Sequence, residues 1–130
     1  MLIERARAAA RHAYAPASGF PVGAALLAED GRVFCGCNVE NASYGLTVCA
    51  ERNAVFHAVA EGARRFTAIA IHTPTAEPGS PCGACRQVLV EFCDDMRVIL
   101  CGTGPAVVRT TLAELLPRAF RFRPQRPRHA

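Results

Sequence analysis

Hydrophobic positions in the first half of the chain predict a helix, a β-hairpin and a second helix. Residues 2–13 are rich in alanine and arginine and are typical of a helix. Two apolar segments at 22–28 and 32–38 enclose the turn residues Glu-Asp-Gly, which favours a hairpin. Residues 49–61 carry alanine and valine at helical spacing and are followed by a glycine, which predicts a helix that ends there.

The second half predicts three further strands and two further helices. An apolar strand at 66–73 precedes a loop and a helix that continues to about Phe92. Strands at 97–101 and 106–110 and a short helix at 111–116 follow. Only "GTGP" separates the last two strands, and a parallel crossover needs about a dozen residues, so these two strands are expected to pair antiparallel. The order of elements predicts an α/β sandwich with a mixed sheet of about five strands flanked by helices.

Composition favours one globular intracellular domain. The chain has 130 residues, of which 51% are hydrophobic and 20% charged, and this is enough to bury a core. The N-terminus lacks the apolar segment of a signal peptide, and no apolar run is long enough to span a bilayer, so we expect a cytoplasmic protein without a membrane partner. Seven cysteines, an odd number, then favour metal binding or catalysis over a disulfide framework.

The positive charge is concentrated at the C-terminus. Five arginines and no acidic residue lie between positions 118 and 128, whereas the rest of the chain is close to neutral. A basic, proline-containing end is usually solvated. We therefore expect a single domain over residues 1–123, a flexible basic tail over 124–130, and no nucleic acid as a partner.

Two cysteine motifs are each ambiguous when taken alone. Cys49 begins the second helix, where a cysteine is usually a small core residue. Cys82 and Cys85 form a CxxC at the start of the third helix, where both thiols lie on one face, near amide groups that favour a thiolate. This CxxC could equally be a redox pair or two structural thiols.

The two motifs together predict a catalytic zinc site. Helices that flank one strand can begin at the same sheet edge, which would bring Cys49, Cys82 and Cys85 together. Three protein ligands with an open position are typical of catalytic zinc, whereas a structural site would use a fourth ligand, either Glu51 or a spare cysteine. Glu51, two positions after Cys49, could instead carry protons at the open position. The sequence Cys-Ala-Glu followed by Pro-Cys-Gly-Ala-Cys is the three-cysteine pattern of zinc deaminases.

The chain resembles the small tetrameric cytidine deaminases over about residues 11–120. The resemblance includes the segments "SGFPVGAAL", "GCNVENASYG", "AERNA", "SPCGACRQVL" and "ELLPRAF". It implies the three-layer sandwich of that family, a homotetramer, and one Zn²⁺ per chain. It also implies hydrolytic deamination of the nucleosides cytidine and deoxycytidine to uridine and deoxyuridine in pyrimidine salvage.

The resemblance also implies residue roles. Asn38 and Glu40 alternate on a strand end and would bind the ribose. Phe20 would pack against the pyrimidine, and Ala50 would contact the substrate. The corresponding family residue of Phe120 reaches the site of a neighbouring subunit.

Charge considerations predict the surroundings of the metal. Three thiolates on Zn²⁺ leave a net negative centre, so Arg52 is the expected cationic partner of the sulfurs, and Gln87 is expected to add a hydrogen bond to them.

Three other functions remain open at this point. A deaminase of polynucleotides would use the same zinc chemistry and the basic tail. A deaminase of the free base or of a nucleoside antibiotic is chemically adjacent. A zinc module without activity would need a fourth cysteine ligand and would not use Glu51.

Overall fold

The computed structural model describes residues 1–122, so the predicted tail at 124–130 lies outside the described residues. The helices and strands are α1 (Leu2–Ala10), β1 (Gly23–Ala28), β2 (Val33–Cys37), α2 (Ala50–Ala60), β3 (Phe66–His72), α3 (Gly83–Val90), β4 (Arg97–Cys101), β5 (Val107–Thr111) and α4 (Leu112–Leu115), with one turn of 3₁₀-helix at Tyr44–Leu46. None of the described helices has the length and apolar character needed to cross a membrane.

The five strands of the described chain form one mixed sheet in the order β2-β1-β3-β4-β5. β3 and β4 are parallel, and every other neighbouring pair is antiparallel. The predicted antiparallel pairing of the last two strands is confirmed, with Arg97 opposite Thr111 and Cys101 opposite Val107. The predicted class, a mixed sheet of five strands flanked by helices, is also confirmed.

Helices cover both faces of the sheet, which makes three layers. On one face, Ala6 of α1 packs with Ala25 of β1 and Ala70 of β3. On the other face, α2 and α3 bury the larger core, which includes Leu26 and Leu89. Alternate residues of β1 therefore serve the two cores, as the period of a strand requires.

Two glycines allow the helices to lie unusually close to the sheet. A Cβ at Gly36 of β2 would collide with the backbone of Ala50 and Ala54 in α2. A Cβ at Gly23 of β1 would collide with the backbone of α1 in the same way. The absent side chain at Gly36 matters for function because it fixes the depth at which the first turn of α2 sits on the sheet.

Two predicted helices extended beyond their α-helical ends. The prediction for α1 continued to residue 13, and that for α3 to Phe92. In both places the backbone tightens into bonds between residues three apart, as from Ala13 N to the Ala10 oxygen (3.2 Å) and from Phe92 N to the Leu89 oxygen (3.1 Å). Such tighter turns satisfy carbonyl groups at a helix end without continuing the α-helix.

Candidate metal centre and active site

Two helix N-termini bring three cysteines together at one edge of the sheet. Cys49 is the N-cap residue of α2, Cys82 is the N-cap residue of α3, and Cys85 lies in the first turn of α3. Their sulfur atoms all lie within 4.8 Å of one another. The sulfurs of Cys49 and Cys82 are 3.8 Å apart. The sequence-predicted convergence of these cysteines is therefore present in the fold.

The cluster fits a zinc ion by both its spacing and its donors. A tetrahedral zinc with Zn–S bonds of ~2.3 Å separates its sulfurs by about 3.8 Å, which is the Cys49–Cys82 spacing. Among the described residues, the group of side chains able to hold a metal contains these three cysteines and no fourth ligand. Three ligands leave one position open, as a catalytic site requires and a structural site does not.

Arg52 supplies positive charge to this cluster. Its Nη2 donates to the Cys49 sulfur at 3.4 Å. Its Nε is buried and has no hydrogen-bond partner among the described residues, so a buried donor remains available beside the thiols. A thiolate-rich metal centre carries the negative charge that such a cation would balance. This contact supports the predicted role of Arg52 as the cationic partner of the sulfurs, which stays a prediction.

The pKa values of the Cys49 and Cys85 thiols are shifted in opposite directions. The pKa of Cys49 is lowered to about 5, because the Cys85 thiol, Arg52 and the Cys82 thiol donate hydrogen bonds to its sulfur. The pKa of Cys85 is raised, first because it donates to Cys49 and then because it is buried. The lowered pKa of Cys49 favours its thiolate, which is the form that a soft metal binds.

Glu51 is an almost fully buried carboxylate on the wall of the same site. Its exposed fraction is only 5%, and it lies in the first turn of α2, two residues after Cys49. Burial raises the pKa of its carboxyl group, and the negative charge of Cys49 adds to this effect. A carboxyl group with a raised pKa exchanges protons more readily near neutral pH, which suits a general acid–base role.

A cavity of about 480 Å³ opens next to the thiols. Its volume lies in the range typical of small-molecule sites. It lies where β1 begins and where β2 and β3 end, so it is enclosed by the loops at that edge of the sheet. The lining residues are Ser18, Phe20, Val22, Asn38, Glu40, Thr47, Cys49, Ala50, Glu51, Ile71, Thr73, Ser80 and Cys82.

Asn38 and Glu40 line this cavity and also hold the loop that precedes β1. The Asn38 amide accepts from Val22 N (2.8 Å) and donates to the Phe20 carbonyl oxygen (2.9 Å). The Glu40 carboxylate accepts from the backbone amides of Ala17 and Ser18 at 2.8 and 3.1 Å. Both side chains are buried, with exposed fractions of 8% and 9%. A ligand can therefore use only those donor and acceptor positions of Asn38 and Glu40 that these internal hydrogen bonds leave free.

The loop before α3 is held from two sides. Thr73, at the end of β3, accepts through Oγ1 from the backbone amide of Gly79 (2.9 Å). Arg86 donates through Nε to the Pro81 carbonyl oxygen (2.8 Å) and through Nη2 to Ser80 Oγ (3.0 Å). These bonds fix the segment that carries Cys82, which is the most exposed of the three clustered thiols.

The structure brings some of the remaining predicted residues to the cavity and leaves others away from it. Phe20 and Ala50 line it, with Phe20 41% exposed. Phe120 is not among the lining residues and is 75% exposed on this single chain. The prediction for Gln87 needs correction, because its Nε2 donates to the Phe120 carbonyl oxygen (2.9 Å) and not to a sulfur. A residue two positions after Cys85 points to a different side of the helix, which explains the difference.

Sequence reasoning missed several lining residues. Ser18, Val22, Thr47, Ile71, Thr73 and Ser80 all border the cavity, although they belong to no metal or acid–base motif. For Ile71 and Thr73 a signal existed, because ligands in α/β folds commonly bind beyond the carboxyl ends of the strands. The others lie on loops whose paths the hydrophobic pattern does not specify.

Comparisons with known proteins agree with this site. The family model for the zinc-binding region of cytidine and deoxycytidylate deaminases matches residues 1–101. A cytidine deaminase from Sporosarcina psychrophila is 53% identical over 120 residues, which cover 92% of this chain and 88% of that protein. Another, from Halalkalibacterium halodurans, is 53% identical over 121 residues, covering 92% of each.

Solved structures agree as well. The crystal structure of cytidine deaminase from Burkholderia pseudomallei matches with a TM-score of 0.88 and 54% identity, covering 92% of this chain and 96% of that one. The Mycobacterium tuberculosis cytidine deaminase matches with a TM-score of 0.81 and 44% identity, covering 94% of this chain and 96% of that one.

The chain belongs to the family of zinc-binding cytidine and deoxycytidylate deaminases. Its activity is the hydrolytic deamination of cytidine. The predicted enzyme class and the predicted zinc cofactor are both confirmed.

Proposed function

We propose that Cys49, Cys82 and Cys85 hold the zinc and that Glu51 carries the protons of the reaction. The observation that carries this proposal is the placement of a buried carboxylate and a three-thiol cluster on the wall of one cavity. When bound, zinc supplies the Lewis acidity that makes water a nucleophile at neutral pH.

Glu51 then performs the proton transfers. It takes a proton from the attacking water, whose oxygen forms the new bond to C4 of the pyrimidine, and delivers that proton to ring N3. It next transfers a second proton, from the new hydroxyl group, to the exocyclic amine. The C4–N bond breaks, and ammonia and uridine are released. The burial of Glu51 supports this role, because a raised pKa lets one group accept and donate in turn.

The rest of the cavity holds the nucleoside. Asn38 and Glu40 bind the ribose, Phe20 packs against the pyrimidine ring, and Ala50 contacts the base. The second hydrogen of the Asn38 amide nitrogen is available for this purpose, since its hydrogen bond to Phe20 uses only one of the two. The deamination of deoxycytidine in addition to cytidine is part of the same proposal.

The cavity favours an uncharged nucleoside over a nucleotide or a polynucleotide. Its lining includes the carboxylates Glu40 and Glu51 and contains no arginine or lysine among the described residues. A phosphate group would therefore meet negative charge without a cationic partner, which is costly in a partly enclosed site. This observation argues against the polynucleotide alternative.

We also propose that the enzyme acts as a homotetramer in the cytoplasm, in pyrimidine salvage. Exposed aromatic side chains support assembly, since Tyr44, Phe120 and Phe122 are 77%, 75% and 70% exposed on one chain. All seven cysteines lie in the described residues as free thiols, which suits a reducing compartment. The limits of the domain at residue 123 and of the tail at 124–130 remain predictions.

The test is Glu51→Gln, which keeps the size of the side chain but cannot exchange protons. We expect full zinc content and retained cytidine binding, with turnover reduced by at least ~10²- to 10⁴-fold. The matched control is Glu61→Gln at the opposite, exposed end of the same helix, which should keep wild-type turnover. A zinc-replete Glu51→Gln enzyme with nearly normal turnover would refute the proton-carrier role.

A further inference from the structure

Ser18 lines the cavity together with Glu40, which is proposed to bind the ribose, and Phe20, which is proposed to contact the base. Its hydroxyl donates to Glu40 Oε2 at 2.5 Å and accepts from the backbone amide of Phe20 at 3.0 Å. One small side chain thus contacts both groups that are proposed to hold the two halves of the nucleoside. Ser18 begins the segment "SGFPVGAAL", but no role of its own is predicted for it from the sequence.

The hydrogen bonds that the Glu40 carboxylate accepts from the loop leave one of its acceptor positions free. A carboxylate offers about four acceptor positions. Oε1 accepts from the amides of Ala17 and Ser18, and Oε2 accepts from the Ser18 hydroxyl. Three positions are therefore filled from the loop, and one position on Oε2 remains for a substrate hydroxyl. Ser18 determines which of the two Oε2 positions stays open.

The hydrogen bond from Ser18 also stabilises the ionised form of Glu40. The pKa of the Glu40 carboxyl group is lowered, chiefly by the hydrogen bond from the Ser18 hydroxyl. An ionised carboxylate is an acceptor only, so it can receive a hydrogen bond from a sugar hydroxyl. The same hydroxyl ties the Phe20 amide, while the Phe20 carbonyl is tied by Asn38.

We propose that Ser18 is a positioning residue that sets the Glu40 carboxylate to accept one hydroxyl of the nucleoside sugar. This inference rests on the proposed role of Glu40 in ribose binding. Ser18 acts through Glu40, and its contact with the Phe20 amide fixes the distance between the sugar side and the base side of the cavity.

The experiment compares cytidine with 2′,3′-dideoxycytidine, which lacks both ring hydroxyls of the sugar. Ser18→Ala should lower kcat/KM for cytidine by roughly 10- to 100-fold, the range expected for a lost hydrogen bond to a charged group. Most of this loss should appear in KM. For dideoxycytidine the loss of kcat/KM should be at least about 10-fold smaller, because this substrate has no ring hydroxyl that could donate a hydrogen bond to Glu40. Ser18→Thr retains the hydroxyl and should restore activity toward cytidine.

Two controls separate this role from a general loosening of the loop. Ser43→Ala removes an exposed hydroxyl outside the cavity and should leave both substrates unaffected. In a Glu40→Gln background, Ser18→Ala should add little further loss on cytidine, because the two residues act as a unit. If Ser18→Ala lowers the zinc content, Ser18→Cys replaces it as the test variant, because a thiol keeps the size of the side chain but donates only weakly. Ser18→Cys should show the same selective loss of kcat/KM for cytidine.

The outcomes are distinguishable. A preference for cytidine in the unmodified enzyme, combined with equal losses of kcat/KM on both substrates in Ser18→Ala, would overturn the positioning role of Ser18. That result would leave the ribose contact of Glu40 standing. If the unmodified enzyme processes both substrates equally well, the ribose contact of Glu40 in the proposed function is wrong, and the inference about Ser18 fails with it.

Discussion

The sulfur atoms of Cys49 and Cys82 lie 3.8 Å apart, and each cysteine is the N-cap residue of its own helix. The two residues are separated by 33 positions in the sequence. Both sulfurs therefore lie at the positive ends of two helix dipoles, which stabilise thiolates. Cys85, in the first turn of α3, and Arg52, beside Cys49, complete a centre in which the fold itself supplies positive charge to the sulfurs.

This arrangement predicts which cysteines are needed for zinc. Replacing Cys49, Cys82 or Cys85 by alanine should remove most of the bound zinc and the activity with it, because two thiolates with an open site bind zinc much more weakly than three. Metal analysis of the purified variants measures the effect, with about one zinc per chain expected in the unmodified enzyme.

Two other cysteines serve as controls for this prediction. Cys35 and Cys37 lie on or at the end of β2 and outside the thiol cluster, so Cys35→Ala and Cys37→Ala should retain zinc. Full zinc occupancy in all three of the cluster variants would show that the ligands have been misassigned.

The sequence predicted this centre well because its information is local. Each cysteine motif marks the start of a helix. One strand, β3, separates α2 from α3 along the chain, and helices that flank one strand can begin at the same edge of the sheet. Gln87 was misplaced for a complementary reason: its partner, the carbonyl of Phe120, lies 33 positions away, on a segment whose path no pattern specifies. The bonds of Glu40 to residues 17 and 18 escaped sequence analysis in the same way, since a loop conformation decides them.

Arg52 should affect turnover more than folding. In Arg52→Gln the Cys49 sulfur loses its cationic donor, so the thiolates give more negative charge to the zinc and reduce its power to activate water. We expect kcat to fall by roughly 10- to 100-fold, the range typical when a group supporting a metal ligand is lost. Steady-state kinetics at measured zinc content tests this.

An arginine in the segment that follows the C-terminal end of α2 offers the comparison. Arg64 donates to the carbonyls of Val59 and Ala63, beyond the reach of the thiols. Arg64→Gln should therefore keep kcat even if it lowers thermal stability. Unchanged kcat per bound zinc in Arg52→Gln would contradict the charge-balancing role.

Assembly should be visible in solution and in the effect of Phe120. Light scattering is expected to give the mass of a tetramer. Phe120 is 75% exposed, yet its backbone is tied to α3 through Gln87, so its ring is presented outward from a fixed position. Phe120→Ala should lower kcat/KM for cytidine while zinc content is retained, since the ring is proposed to act in a neighbouring subunit. A stable, fully active monomer would remove both the tetramer and this role.

Arg86 should control how firmly the zinc is held on the side of Cys82. Its guanidinium joins three places, donating to the Pro81 carbonyl, to Ser80 Oγ and, at 2.6 Å, to the Leu115 carbonyl at the end of α4. Lysine keeps the charge but presents a single nitrogen, so it cannot reproduce this fork of donors. In Arg86→Lys the loop before α3 should move more freely, and Cys82, which is exposed, should release the metal more easily.

We therefore expect zinc to transfer from Arg86→Lys to a chelator at least about 10-fold faster than from the unmodified enzyme, with a higher KM because Ser80 borders the cavity. Arg64→Lys is the matched control, because Arg64 also binds backbone carbonyls at a helix end but lies away from the cavity. Both substitutions should lower the midpoint of thermal unfolding by similar small amounts, as expected for lost hydrogen bonds to backbone carbonyls. Only Arg86→Lys should accelerate zinc loss. Equal rates of zinc transfer from the two variants would mean that Arg86 contributes to stability alone and does not position the loop that carries Cys82.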